Sequence, residues 1–248
     1  RTVCTGLSEA KGSWKISWTC LTYLRKDRPR PAFTAVPPSS ISPAVSGYSG
    51  DLSRRLDEAV SGPGFEALNR LGTRVPRLVP PITRFAARAM SSRTWTDHAY
   101  RIFASVRDVR FHEGEFAIPR AHAAEALREL RKWIDAHGEP VSFPLEVRFT
   151  AADDIWLSTA QGRESCYIAF HQYHRMPYRR YFDACQKILG SYGGRPHWGK
   201  MHDLGAEELR PRYERFDDFV ALRNSLDPSG VLSNPYLDRV LGAPPAAG

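Results

Sequence analysis

The sequence has 248 residues, is 42% apolar, and carries a formal net charge of +8 and four cysteines. This length and composition predict one or two globular domains, and no apolar run reaches the roughly 18 residues of a membrane span. The cysteines form no Cys-x-x-Cys pair, so we expect reduced thiols. No signal-peptide pattern is present, which favours a cytoplasmic protein, and the positive charge leaves peripheral contact with an anionic membrane open.

Residues 1–64 combine scattered Trp, Pro, Ser and basic residues without a sustained period. We therefore predict an irregular or disordered N-terminal segment there. Residues 65–242 carry the regular patterns and are interpreted as the folded domain, with residues 243–248 as a tail. At the start of this domain, Pro76 and the pair Pro80-Pro81 interrupt an arginine-rich stretch, so any helices in it should be short.

Residues 109–118 alternate apolar and polar side chains and predict a half-buried strand that Pro119 closes. Apolar residues at helical spacing follow, and Gly138 is placed to end that helix. The same criteria predict strands at 143–150 and 165–173 and helices at 178–189 and 216–226. Strands and helices mixed at short spacing favour an α+β fold, a mainly antiparallel sheet with helices packed on one face, preceded by a poorly structured N-terminal segment.

Four polar residues lie on two of these strands in a pattern that suits a ligand. The period of two places Glu146 and Arg148 on one face of their strand, and His171 and Tyr173 on one face of the next. An ordinary exposed ion pair is the simpler interpretation of Glu146 and Arg148 alone. If the strands are neighbours, however, the combined face would bind a polyhydroxylated ligand, because carboxylate and imidazole accept hydrogen bonds while guanidinium and phenol donate them.

The loop around Lys200 follows a glycine-rich helix end, a position where functional residues often lie. A lysine there could stabilise the negative charge of a reduced flavin or an enolate, although on the motif alone a surface lysine beside a buried Trp198 is the better explanation. No nucleophile elbow, phosphate loop or dinucleotide fingerprint occurs, and the histidine spacings match no recognised zinc pattern, so we expect no metal. The arginines are spread over several elements, so nucleic acid is not an expected partner.

Several motifs together resemble the aldonolactone oxidoreductases, a group within the vanillyl-alcohol oxidase flavoprotein superfamily. They are Glu146-Val147-Arg148, the strand from Cys166 to His174, the motif Arg195-Pro196-His197-Trp198-Gly199-Lys200, and the ending from Phe216 to Leu237. The resemblance runs from about residue 65 to 242. It implies that residues 65–242 are a cap or substrate-binding domain, and that FAD is held by a flavin domain missing from this chain and supplied in cis or in trans.

The resemblance also implies a reaction, the oxidation of an aldono-1,4-lactone such as L-gulono-1,4-lactone by hydride transfer to flavin N5. The resemblance implies three catalytic residues: Glu146 and Arg148 would hold the sugar hydroxyls near N5, and Lys200 would face the flavin edge. His171, Tyr173 and His197 would line the substrate pocket. His197 and Trp198 would position Lys200, with Trp198 also beside the cofactor. The alternative interpretation is an inactive fragment or a non-enzymatic binding domain that retains the cap fold.

Overall fold

The computed structural model describes residues 3–10, 13–19, 63–89, 96–97 and 109–244. The chain divides into two compact units. Unit 1 comprises Arg1–His112, Pro140–Arg148 and His171–Pro177, and unit 2 comprises Glu113–Glu139, Phe149–Phe170 and Tyr178–Gly248.

Strands and helices alternate along the described chain, and the fold is α+β, as the sequence predicted. The strands are β1 (Val3–Ala10), β2 (Ser13–Thr19), β3 (Thr96–Asp97), β4 (Phe111–Pro119), β5 (Glu146–Thr150), β6 (Ser165–Tyr173) and β7 (Arg195–Pro196). Their order in the sheet is β3-β2-β1-β5-β6-β4-β7. The β1–β2, β2–β3 and β4–β7 pairs are antiparallel, whereas β1 and β5 run parallel. The predicted neighbour relationship of β5 and β6 is confirmed.

The helices carry the remaining regular structure. They are α1 (Phe65–Arg74), α2 (Val79–Ala89), α3 (Ala123–His137), α4 (Arg179–Ser191), α5 (Ala206–Leu209), α6 (Phe216–Leu226) and α7 (Pro235–Leu241), with short 3₁₀ turns at Pro76–Leu78, Arg120–His122 and Arg210–Arg212. As predicted, α3 ends at Gly138, which adopts the left-handed φ of 57° that favours glycine. No helix in the described ranges combines the length and apolar character needed to cross a bilayer.

Two strands correct the prediction of an irregular segment over residues 1–64. β1 and β2 pair from Cys4↔Thr19 to Ala10↔Ser13. The sequence of β2 contains the reason, since Trp14, Ile16 and Trp18 alternate with polar residues at the period of a half-buried strand. The prediction was wrong for these two strands, and residues 20–62 lie outside the described residues.

Aromatic packing fixes one face of the sheet in unit 2. Phe116 of β4 stacks on Phe170 of β6 with ring centroids 6.4 Å apart, and Phe170 meets Phe182 of α4 edge-on at 4.8 Å. Gly114 lies on the same face, where a Cβ atom would come within 2.3 Å of the Phe170 ring. Since α4 covers this face and α3 packs against α4, the odd-numbered residues of β4 project to the other side.

Two thiols complete this packing. Cys166 of β6 has 0% exposure and Cys185 of α4 has 1%, and burial raises the pKa of the Cys185 thiol well above its usual range. Neither is in a disulfide, as the sequence predicted for these two residues. Cys4 and Cys20 lie outside the described side chains.

Unit 1 has its own aromatic cluster around the beginning of β4. Phe111 lies 5.8 Å from Phe65 of α1 and 5.2 Å from Phe143, measured between ring centroids. Tyr173 and Met176, which are 0% and 4% exposed, pack with Val79 of α2 beside it. The cluster joins α1, α2 and the end of β6, so the end of β6 lies within an apolar surrounding.

Candidate active site

The turn that carries Lys200 is held against the edge of β4 in unit 2. β7 pairs with β4, and the chain then continues along the same edge. His197 N donates to Glu115 O at 2.9 Å, and Met201 N donates to Glu113 O at 2.9 Å. Inside the turn, Lys200 N donates to His197 O at 3.1 Å. The sheet edge therefore fixes both ends of the turn and gives the Lys200 backbone a defined place.

The ammonium of Lys200 lies between two carboxylates of β4. Its Nζ atom is 2.8 Å from Glu115 Oε2 and 3.3 Å from Glu113 Oε2. The side chain of Glu115 is 3% exposed, that of Lys200 17%, and that of Glu113 40%. Both glutamates project from the face of β4 opposite to Gly114 and Phe116, as a period of two requires. Unit 2 thus carries a largely buried group of one cation and two carboxylates.

Sequence reasoning missed these two glutamates. Glu113 and Glu115 were interpreted only as the polar half of an alternating strand. The sequence offers only the pattern Glu-x-Glu in an alternating strand, which does not reveal that residues 114 to 118 are buried and that the strand must provide partners for its charges.

His197 shapes the turn through its own atoms. Its ring is exposed, and Nδ1 accepts a hydrogen bond from Gly199 N at 3.0 Å. Its main-chain carbonyl accepts from Lys200 N. These contacts join His197 to the backbone of Lys200, while its predicted contact with substrate stays a prediction.

Trp198 anchors the turn on its other side. Its Nε1 donates to Leu157 O at 2.8 Å, its carbonyl accepts from the Tyr236 hydroxyl at 2.5 Å, and its ring lies 5.4 Å from that of Tyr213. Leu157 has a φ of 55°, a left-handed conformation that is costly for a leucine. Leu157 is only 9% exposed and belongs to an apolar cluster that includes Tyr213 and packs against Trp198. This packing holds the conformation of Leu157 and directs its carbonyl at Trp198.

The first polar pair predicted from the sequence lies in unit 1, on β5. Glu146 and Arg148 form a direct ion pair, with side chains that are 12% and 38% exposed. Val147 between them is 1% exposed and lies on the opposite face. The predicted shared face is confirmed. A guanidinium donates hydrogen bonds and a carboxylate accepts them, so this pair combines the two group types that bind hydroxyls.

His171 and Tyr173 lie at the end of β6 in the aromatic cluster of unit 1. His171 is 5% exposed and meets Phe143 edge-on at 4.9 Å. Tyr173 is fully buried, and its hydroxyl donates to Glu66 Oε1 at 2.7 Å. This hydrogen bond is the main cause of a lowered Glu66 pKa, whereas burial, followed by Glu66, raises the pKa of Tyr173. The substrate-binding role predicted for Tyr173 stays a prediction, and its hydroxyl proton is engaged by α1.

In the described part of the chain, no three His, Cys, Asp or Glu side chains lie close enough together to hold a metal ion. His202, close to the turn, is buried and bonded through Nε2 to the Tyr236 hydroxyl at 3.1 Å. Burial, and after it the charge of Arg239, lowers the pKa of His202 to about 4. This histidine is therefore neutral at physiological pH.

Comparison with known proteins identifies the family. A family model described as D-arabinono-1,4-lactone oxidase matches residues 49–240, so the chain belongs to that family. The resemblance drawn from the motifs is confirmed, and the matched range contains both charged groups, Glu146 with Arg148 and Lys200 with its two glutamates.

Individual relatives agree with this family. L-gulono-1,4-lactone dehydrogenase of Mycobacterium tuberculosis is 46% identical over 189 residues, covering 76% of this chain and 44% of that protein. L-gulonolactone oxidase of Mus musculus is 37% identical over 175 residues, covering 68% of this chain and 40% of that protein. Alditol oxidase of a Streptomyces species is 36% identical over 133 residues, covering 52% and 31%. The chain thus spans less than half the length of these relatives.

Proposed function

We propose that this chain provides the substrate-binding part of an FAD-dependent oxidoreductase that oxidises an aldono-1,4-lactone. The observation that carries the proposal is the family match over residues 49–240, which contains every residue that sequence reasoning assigned to the site. The relatives whose names specify a lactone add support, since they are named for L-gulono-1,4-lactone or L-gulonolactone.

The charged groups of the chain fit a flavin and a sugar lactone. An ammonium is a hydrogen-bond donor, and the Lys200 ammonium, in contact with Glu115 and the more exposed Glu113, can donate to an electron-rich edge of the cofactor. When bound, FAD supplies the hydride acceptor. We further propose that a flavin-binding region, in the same or another polypeptide, is the partner of this chain.

The chain's own residues bind and orient the lactone in this proposal. Glu146 accepts a hydrogen bond from one ring hydroxyl, and Arg148 donates to the oxygen of a neighbouring one. Because the two side chains are paired on one strand, each restricts the rotamers of the other, and the substrate meets a preorganised pair. In this proposal, the spacing of Glu146 and Arg148 along β5 sets the distance between the two groups that bind the hydroxyls.

The proposal is tested by supplying the flavin region. The 248-residue chain is purified alone and after co-expression with the part of the Mycobacterium tuberculosis relative that lies outside the matched region. Flavin absorbance at about 450 nm is then measured. We expect the co-expressed protein to be yellow and to bleach when L-gulono-1,4-lactone is added without oxygen. A yellow protein that no aldonolactone bleaches would refute the proposed reaction. A folded but colourless protein in both preparations would instead favour a non-enzymatic binding domain.

A further inference from the structure

We propose that Glu115 is the positioning residue of Lys200, the fixed anchor of its ammonium, and that Glu113 is an exchangeable counter-ion which an incoming ligand atom displaces. The proposal rests on the proposed function in one respect, because that function names the ligand atom as an electron-rich oxygen or nitrogen of a flavin. Its structural part concerns this chain alone.

Burial and distance distinguish the two carboxylates. Glu115 lies closer to Lys200 Nζ, at 2.8 Å against 3.3 Å for Glu113. Its side chain is 3% exposed, whereas that of Glu113 is 40% exposed. A buried carboxylate cannot give up a cationic partner without a large desolvation cost, whereas a carboxylate in contact with water can. Glu115 therefore keeps the ammonium, and Glu113 can release it.

The same strand also holds the main chain of the lysine turn. The carbonyls of Glu115 and Glu113 accept hydrogen bonds from His197 N and Met201 N, both at 2.9 Å. Lys200 is thus fixed at its ammonium and at both ends of its turn by two residues of one strand. A lysine side chain loses much of its rotamer freedom on immobilisation, and here the contact with Glu115 accounts for that loss before a ligand binds.

This arrangement changes the chemistry expected of Lys200. A lone ammonium acts as a point charge, but an ammonium held by a buried carboxylate has its charge partly offset and its N–H bonds directed. Lys200 then acts as an oriented hydrogen-bond donor towards a defined position. An atom in the position of Glu113 meets that donor without any movement of the lysine.

Selective acylation of Lys200 tests the anchor in the 248-residue chain itself. An amine reacts with acetyl N-hydroxysuccinimide only when it is uncharged and has left its partner, so the reaction rate reports how firmly the ammonium is held. Peptide mass spectrometry follows Lys200, with the exposed Lys187 as internal reference. In E115Q we expect the Lys200 rate, relative to Lys187, to rise about tenfold, and in E113Q by about threefold or less. Equal rates in wild type and E115Q, or a larger rise in E113Q than in E115Q, would overturn the proposal.

A second pair of variants covers the case in which E115Q does not fold. E115D and E113D keep both negative charges and shorten each side chain by one methylene. Because the anchor depends on reach, E115D should still raise the Lys200 rate, by about threefold, whereas E113D should leave it within experimental error. Circular dichroism and thermal unfolding establish which variants are folded. A Lys200 rate in E115D equal to that of wild type would refute the anchor.

Turnover separates this proposal from the proposed function. In a protein that includes the flavin region, E115Q should lower kcat about a hundredfold with little change in KM for the lactone, because the donor is misplaced in the reacting complex. E164Q, which alters the exposed partner of Arg120, is the matched control. Faster acylation in E115Q together with wild-type kcat would refute the role of the anchor in turnover. Faster acylation in a protein without any lactone oxidation would refute the proposed function and leave the anchor intact.

Discussion

Arg148 and Glu146 form a partly exposed ion pair, and it is this pair to which we assign lactone binding. Exposed pairs of this kind contribute little to stability, since salt and water screen them. Glu146 is only 12% exposed, however, and Arg148 at 38% carries the more accessible end of the pair. The pair is therefore only partly screened by water, and its more accessible end is the guanidinium.

Removal of this guanidinium should impair turnover more than folding. In a flavin-containing protein we expect Arg148→Ala to lower kcat/KM about a hundredfold, near 3 kcal/mol, because a charged hydrogen bond to the substrate is lost. The melting temperature should change little. Arg131→Ala is the control, since Arg131 of α3 is also partly exposed and pairs with Asp135 at 3.4 Å. Equal kcat/KM values for the two variants would remove Arg148 from the site.

His202 should make stability depend on pH. Folding lowers its pKa from 6.5 to about 4, because of burial first and the charge of Arg239 second. Between these two pH values the unfolded chain binds a proton that the folded chain does not, so stability falls as the pH falls from 6.5 towards 4. In His202→Gln, which keeps a donor for Tyr236 but does not titrate, that part of the loss should disappear. Urea unfolding at pH 7 and pH 5 measures the difference, and identical losses in the two proteins would contradict it.

At the scale of elements, local patterns predicted much of the fold. β6 begins and ends at Ser165 and Tyr173, as its alternation indicated, and α6 occupies the predicted residues 216–226. α3 ends at Gly138 because the residue after the helix adopts a left-handed φ of 57°, which glycine tolerates best. Signals of this kind act within a few residues of one another, which is why a sequence pattern suffices to find them.

Other features depend on position or on distant partners. The break expected at Pro76 is confirmed by the 3₁₀ turn Pro76–Leu78, but the one expected at Pro80-Pro81 is absent. Both later prolines occupy the first turn of α2, where no N–H bond is required. β5 begins at Glu146 and not at Phe143, since Pro144 has no N–H to offer a neighbouring strand. The contact of Lys200 with Glu115 joins residues far apart in sequence, and no local period encodes it.

Two glycines permit a matched test of packing between elements. Gly114→Ala should destabilise the protein by about 1 to 3 kcal/mol, because the new Cβ would lie 2.3 Å from the Phe170 ring. Gly190→Ala, in α4, meets no atom within 4 Å and should stabilise the protein by about 0.5 to 1 kcal/mol. Urea unfolding of both variants gives the comparison. A Gly114→Ala variant as stable as wild type would show that β4 and β6 do not approach as described.

At the scale of the whole molecule, part of the positive charge is used internally. Arg195 donates to the carbonyls of Arg212 and Gln161 at 2.6 and 2.7 Å, and Arg212 donates to Gly194 O at 2.8 Å. Nearby, burial followed by the charge of Arg195 lowers the pKa of Arg163 to about 10. These arginines bind carbonyls of the protein, so the net charge of +8 overstates the basic surface available to a polyanion.

The alkylation rate of the two buried thiols can measure how often the surrounding core opens. Cys166 and Cys185, at 0% and 1% exposure, can meet iodoacetamide only after β6 and α4 separate. Their alkylation, read peptide by peptide, should therefore be as slow as the opening of this core and should accelerate in urea together with unfolding. Gly114→Ala should speed the reaction at both cysteines and Gly190→Ala should slow it. Rapid alkylation of the folded chain would contradict the packing around Phe170. If alkylation is slow, the modified fraction of each cysteine measures how often this core opens.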